Sequence, residues 1–187
     1  MNQRRFFVTG DEWGLVDIVP AENSAQLERV RKQIAEHHKN TVFSLTGWTT
    51  PPFILPSPEL SLSDREISVT ELSALFVGIL VPADVVETCE DFTGPAFVAL
   101  DCFAWGEPKE FRAGFYGRAP DGIIRTLHVA EWFFEDDMAR VVASALGGLG
   151  AKYRLLLMSH GTWGIDLEDH ERMALFLSKG VQGLTNG

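Results

Sequence analysis

Cysteine is scarce in this sequence, with only Cys89 and Cys102 among 187 residues. That excludes the dense disulfide framework that holds small secreted domains together. Neither cysteine has a basic neighbour in sequence to stabilise a thiolate, so neither reads as an activated nucleophile. Basic residues are also short. There are 16 Lys and Arg against 26 Asp and Glu, a net charge of −10. A surface of that sign repels nucleic-acid phosphates and anionic lipid headgroups, which argues against nucleic acid and membrane as partners. It favours encounter with a basic protein. The deficit is uneven: residues 1–60 hold six basic and seven acidic side chains, and residues 61–187 hold ten and nineteen.

Long hydrophobic runs are missing too. The longest apolar stretch lies within Leu72–Pro82, well below the roughly 18 residues that span a bilayer. The opening MNQRRFFVTGDEW puts only three apolar residues after its two arginines, whereas a secretory signal needs about 7–15. The expectation is a soluble, cytoplasmic protein. Catalytic and cofactor signatures are absent as well: there is no Gly-x-Ser-x-Gly elbow, no His-Glu-x-x-His and no Gly-Lys-Ser/Thr phosphate loop. The run Gly147-Gly148-Leu149-Gly150 follows a helical pattern instead of preceding one, so it reads as a helix end and not as a phosphate cradle. No cofactor and no metal site are assigned.

What is present is an ordinary globular composition, 45% hydrophobic, with thirteen Phe and five Trp against two Tyr. Apolar residues at helical spacing mark helices over 24–38, 131–146 and 169–178. Asn23 or Ser24 is expected to cap the first. A shorter helix capped by Thr70 is expected over 71–80, and a helical turn over 83–89. Alternating or β-branched runs mark strands at 4–9 and 14–19, read together as a hairpin. Further strands fall at 41–45, 65–69, 96–104, 111–116, 122–128, 153–158 and 163–167. Pro120-Asp121-Gly122 is a strong turn signal inside a three-stranded meander. The fold class expected is α+β, a mostly antiparallel or mixed sheet of about 5–7 strands packed against 3–4 helices. Residues 1–187 read as a single domain. Within it, 1–45 is readable as a hairpin–helix subunit and 46–63 as a Pro-rich connection.

Two functional readings follow. The first is a non-enzymatic acidic protein-binding module, an immunity- or antitoxin-like inhibitor that covers a basic partner protein. Acidic residues cluster at 84–91, 131–137 and 166–171, and two of these clusters contain or adjoin a tryptophan. Carboxylates around an aromatic anchor suit a cationic protein face. The partner-binding residues named on this reading are Trp132, Glu135, Asp136, Asp137, Trp163, Asp166, Glu168 and Asp169. The alternative is a small metal-dependent or His/Asp hydrolase centred on 159–171, with His160, Asp166 and His170 as acid, base or ligand groups. Their spacing matches no known zinc set. His128 is expected to pair with Glu131 in a structural role. The sequence leaves the oligomeric state open.

Overall fold

The computed structural model describes the chain apart from residues 1–2, 10–15, 45–46, 49–52, 55, 90–94, 131–132, 160–162 and 186–187, and apart from the side chains of 43, 44, 47, 48 and 185. The fold is α+β. The strands are β1 (Arg5–Thr9), β2 (Val16–Pro20), β3 (Phe43–Ser44), β4 (Gly47–Trp48), β5 (Val81–Pro82), β6 (Val85–Cys89), β7 (Phe97–Val98), β8 (Cys102–Gly106), β9 (Gly114–Arg118), β10 (Thr126–Val129), β11 (Leu155–Ser159) and β12 (Trp163–Asp166). The helices are α1 (Ser24–Asn40), α2 (Val69–Phe76), α3 (Asp136–Tyr153), α4 (His170–Lys179) and α5 (Val181–Thr185). A seven-stranded antiparallel sheet runs in the order β12-β11-β2-β10-β9-β8-β5, and a three-stranded mixed sheet in the order β1-β6-β7. Among the described residues no helix is long and apolar enough to cross a membrane.

Strand alternation decides what lies where, because successive side chains point to opposite faces. On one face of the large sheet Ile18, Phe115, Leu127, Leu157 and Ile165 meet α2, α3 and α4 in the main core. On the other face Tyr116 and Ala104 meet Phe6, Val8 and Val86 of the small sheet, while Val19, Leu156 and Met158 meet Leu27 of α1. Covered on both sides, β11 reads Leu-Leu-Leu-Met-Ser and is buried throughout.

Several elements depart from the sequence expectations, each for a non-local reason. Residues 4–19 do not form a hairpin. β1 pairs in parallel with β6, and β2 lies at the middle of the large sheet. Residues 85–89 are a strand and not a helical turn, because their β-branched side chains pair with β1. Ion pairs from Arg4 to Asp84 and from Arg5 to Glu87 stitch that pairing at its edge. No strand forms over 65–69. A 3-10 turn at Leu62–Arg65 stands there, followed by an isolated bridge from Ser68 to Ile123. The α2 cap is Ser68 and not Thr70: its Oγ accepts from the Glu71 N–H at 3.0 Å. The expected strand at 96–104 breaks into β7 and β8 around Leu100 and Asp101, the latter at φ 57°. β8, β9 and β10 do form the meander.

Asn23 caps nothing with its side chain. Its amide instead donates to the Pro20 and Leu60 carbonyls and accepts from the Leu60 N–H, while Gln26 bonds Ser57 and Glu59. Two amides at the start of α1, one just before it and one in its first turn, thereby fasten the end of the Pro-rich segment.

The 147–150 glycines do not end α3, which continues to Tyr153 and closes at Arg154 in the left-handed region. The role of Gly147 and Gly150 is close approach. A β-carbon on Gly147 would fall 1.8 Å from the His170 ring, and one on Gly150 2.6 Å from Leu167. Small residues there let α4 lie tightly against α3.

α2 is tied to the end of α3 by Glu71, which accepts from Lys152 and from the Tyr153 hydroxyl, both at 2.6 Å. Those two bonds hold the Glu71 carboxyl below its ordinary range, and the same carboxylate, with Tyr153, pushes Lys152 up to about 12. A carboxyl depressed in the folded state contributes stability above its ordinary pKa and loses it as pH falls through the folded value. Glu71→Gln is therefore expected to lower the melting temperature at pH 7 and to converge on wild type well below pH 4.5, the ordinary value. Equal gaps at both pH values would show that the tie carries no charge-dependent stability.

Candidate partner-binding site

The acidic trio named from sequence sits at the start of α3. Glu135 precedes the helix in extended backbone, and Asp136 and Asp137 form its first turn. Carboxylates belong there because the unpaired N–H groups of a helix start carry partial positive charge. All three remain solvated, with Asp137 at 99% side-chain exposure. Their cationic contacts come from three directions. Lys109 reaches Glu135 at 2.5 Å, Arg140 reaches Asp137 at 3.6 Å and Lys179 reaches Asp136 at 4.0 Å. Glu135 raises the Lys109 ammonium pKa above its ordinary range. Exposed pairs of this kind hold weakly.

The trio stands on a ridge between two depressions. On one side is a groove of about 530 Å³ along the α3–α4 seam, reaching from Asp136 and Lys179 to His170 and Glu171. On the other is a pocket of about 390 Å³ lined by Pro108, Ala113, Phe133, Phe134 and Met138, with Glu135 on its rim. The pocket's outer wall is the loop from β8 to β9. That loop is ordered by Glu107, whose carboxylate accepts from the backbone N–H groups of Lys109, Glu110 and Arg112. Phe111 holds a left-handed φ of 59° and anchors the loop edge-on against Phe6.

The second cluster lies elsewhere. α3 and α4 run antiparallel, since Lys179 at the end of α4 approaches Asp136 while His170 at its start covers Gly147. The eleven residue steps from Asp136 to Gly147 span roughly 16 Å at 1.5 Å per step. Asp166, Glu168 and Asp169 therefore sit at the far end of the seam from the trio. Two of them do local structural work. Asp166 accepts from the Glu168 N–H in its own turn, and Asp169 caps α4 by accepting from the Arg172 N–H. Glu168 is exposed. Trp163 is half-buried with its ring on Phe176 at 5.1 Å, a core contact more than a free anchor.

Trp132 and His160 lie outside the described residues, so the grouping of His160 with Asp166 and His170 does too. His170 packs over Gly147, and Asp166 is solvated. Among the described residues no three His, Cys, Asp or Glu side chains gather closely enough to hold a metal ion. Cys89 is buried, and burial pushes the Cys102 thiol up. In the first acidic cluster, Asp84 and Glu87 are the partners of Arg4 and Arg5 described above.

Sequence reasoning missed one polar pair. His128 Nδ1 lies 2.6 Å from Asp17 Oδ1, with side-chain exposures of 9% and 16%. The two residues face each other across β10 and β2, with the Tyr116 ring 5.1 Å from the imidazole. The carboxylate partner of His128 in the structure is thus Asp17, whereas the expected Glu131 lies outside the described residues. An interruption of the apolar pattern at Asp17, midway along Val-Asp-Ile-Val, was the available signal.

No family model, curated protein or solved structure matches this chain. The reading of the site therefore rests on its own geometry.

Proposed function

We propose that this protein is a binding module that grips a basic partner protein across the α3 ridge. On this reading it acts as an inhibitor that covers the partner's cationic face in the manner of an immunity protein, in the cytoplasm. The observation that carries the reading is the position of Glu135, Asp136 and Asp137. They are solvated carboxylates on a ridge with a recess on either side, where a partner can seat side chains while its cations meet the acids. Rim charges of this kind act mainly on the encounter rate and on salt sensitivity.

The test uses wild type and the triple variant Glu135→Lys, Asp136→Lys, Asp137→Lys as parallel baits in extract of the source cells, eluted with rising salt. The neutral triple variant Glu135→Gln, Asp136→Asn, Asp137→Asn controls for strain at the helix start. The expected result is a basic protein held by wild type, released as screening shortens the reach of charge from about 8 Å at 0.15 M salt to about 3 Å at 1 M. It is expected to be weakened with the neutral variant and absent with the reversed one. Equal retention by all three baits, or no partner on any, overturns the proposal.

A further inference from the structure

The pocket beside the ridge has a composition that selects one side chain, an inference that rests on the binding-module reading above. Phe133 is 58% exposed although it is a large apolar residue. One part of its ring lies against Gly180, where a β-carbon would come within 2.8 Å, so the ring is backed by the core. The next residue fixes it further, because Phe134 is buried and its N–H donates to the Leu177 carbonyl at 2.9 Å. The remainder of the ring is presented to a recess floored by Ala113 and Met138 and walled by Pro108. Around the recess stand Glu110 and Glu135, with Asp136 and Asp137 following directly along the ridge. Glu107 is already committed to three backbone N–H groups. The rim cations have acidic neighbours of their own: Lys109 on Glu135 and, more loosely, Arg112 near Glu110 at 3.9 Å.

We infer that this pocket receives an arginine side chain of the basic partner, its guanidinium stacked on Phe133 and paired with Glu135. An arginine fits on three counts. Its planar, weakly hydrated guanidinium stacks on an aromatic face and pairs with a carboxylate at once. Its three-carbon stem covers apolar surface, here Met138 and Pro108. Arginine also recurs among the few side chains that dominate protein interfaces. A lysine offers the same charge without the planar face. A purely apolar guest would gain nothing from the rim carboxylates Glu110 and Glu135. The solvated Lys109–Glu135 pair is weak enough to open for the incoming guanidinium.

Fluorescein-labelled penta-arginine and penta-lysine peptides, titrated by anisotropy into the full-length protein at 0.15 M salt, test the inference. Penta-arginine is expected to bind at least tenfold more tightly than penta-lysine. Phe133→Leu is expected to remove most of that preference while leaving penta-lysine binding unchanged. Because Phe133 is largely exposed, the variant should keep the wild-type melting temperature, which a thermal scan checks. If the two peptides bind equally, or if the preference survives Phe133→Leu, the arginine pocket is wrong although the acidic ridge stands. If neither peptide binds, the ridge reading fails as well.

Discussion

Replacing Gly117 by alanine is expected to lower the melting temperature by on the order of 10 °C, the shift that about 3 kcal/mol produces in a chain of this size. Gly117 lies in β9, between Phe103 of β8 and Leu127 of β10. A β-carbon there would fall 2.0 Å from the Thr126 carbonyl oxygen and 2.8 Å from the Phe103 ring. A side-chain tip can swing away, but the Thr126 carbonyl belongs to the neighbouring strand. It can retreat only by opening the β9–β10 ladder in the middle of the large sheet. Gly148→Ala supplies the control. It makes the same substitution on the solvent side of α3 with nothing within 4 Å, and alanine is favoured over glycine there by about 0.5–1 kcal/mol. The pair should move in opposite directions in one thermal scan. Gly117→Ala melting within a degree or two of wild type would mean that the sheet yields locally and that the close approach is not a constraint.

The contrast between those two glycines shows where the sequence was readable. Helices and the meander are written in local spacing: Leu27, Val30 and Ile34 recur on one face of α1, and Pro120-Asp121-Gly122 marks the turn before β10. Both could be placed from neighbours in the chain alone. What misled was non-local. Val85–Cys89 becomes a strand only because β1, some eighty residues earlier, lies beside it. The 147–150 glycines look like a stop, but Gly147 and Gly150 are there so that His170 and Leu167 can approach. The candidate site divides in the same way. The acids of 135–137 were legible because helix starts and charge runs are local. Their two flanking recesses were not, since the pocket is assembled from the 107–113 loop and α3. Nor was the distance between the trio and the 166–169 acids visible, because it follows from the antiparallel packing of α3 and α4.

Asp17→Ala is expected to destabilise the protein by about 1–3 kcal/mol, the range for leaving a buried polar group without its partner. Its position in the sheet is the reason. Among the described residues β2 and β10 share a single registered pair, Asp17 opposite His128, while β2 and β11 share five and β10 and β9 share four. This is the seam where β12-β11-β2 joins β10-β9-β8-β5, and the 2.6 Å bond from His128 Nδ1 to Asp17 Oδ1 crosses it. Without the carboxylate, the Nδ1 edge of a buried imidazole loses that acceptor, beside a recess of about 290 Å³ that Asp17 and His128 help to line, and a buried polar edge left without its partner costs stability. Asp17→Val with His128→Leu should recover part of the loss, because two apolar side chains remove both ends of the bond. Urea unfolding of the two single variants and the double completes the cycle. A single variant within 0.5 kcal/mol of wild type, or a double variant that merely adds the two losses, would show that the seam is held by its backbone and core alone. If the cycle closes as expected, the ridge on α3 belongs to a sheet whose two halves are locked by one polar pair. Binding variants at Glu135–Asp137, on the opposite face of the sheet, should then leave the unfolding midpoint close to that of wild type.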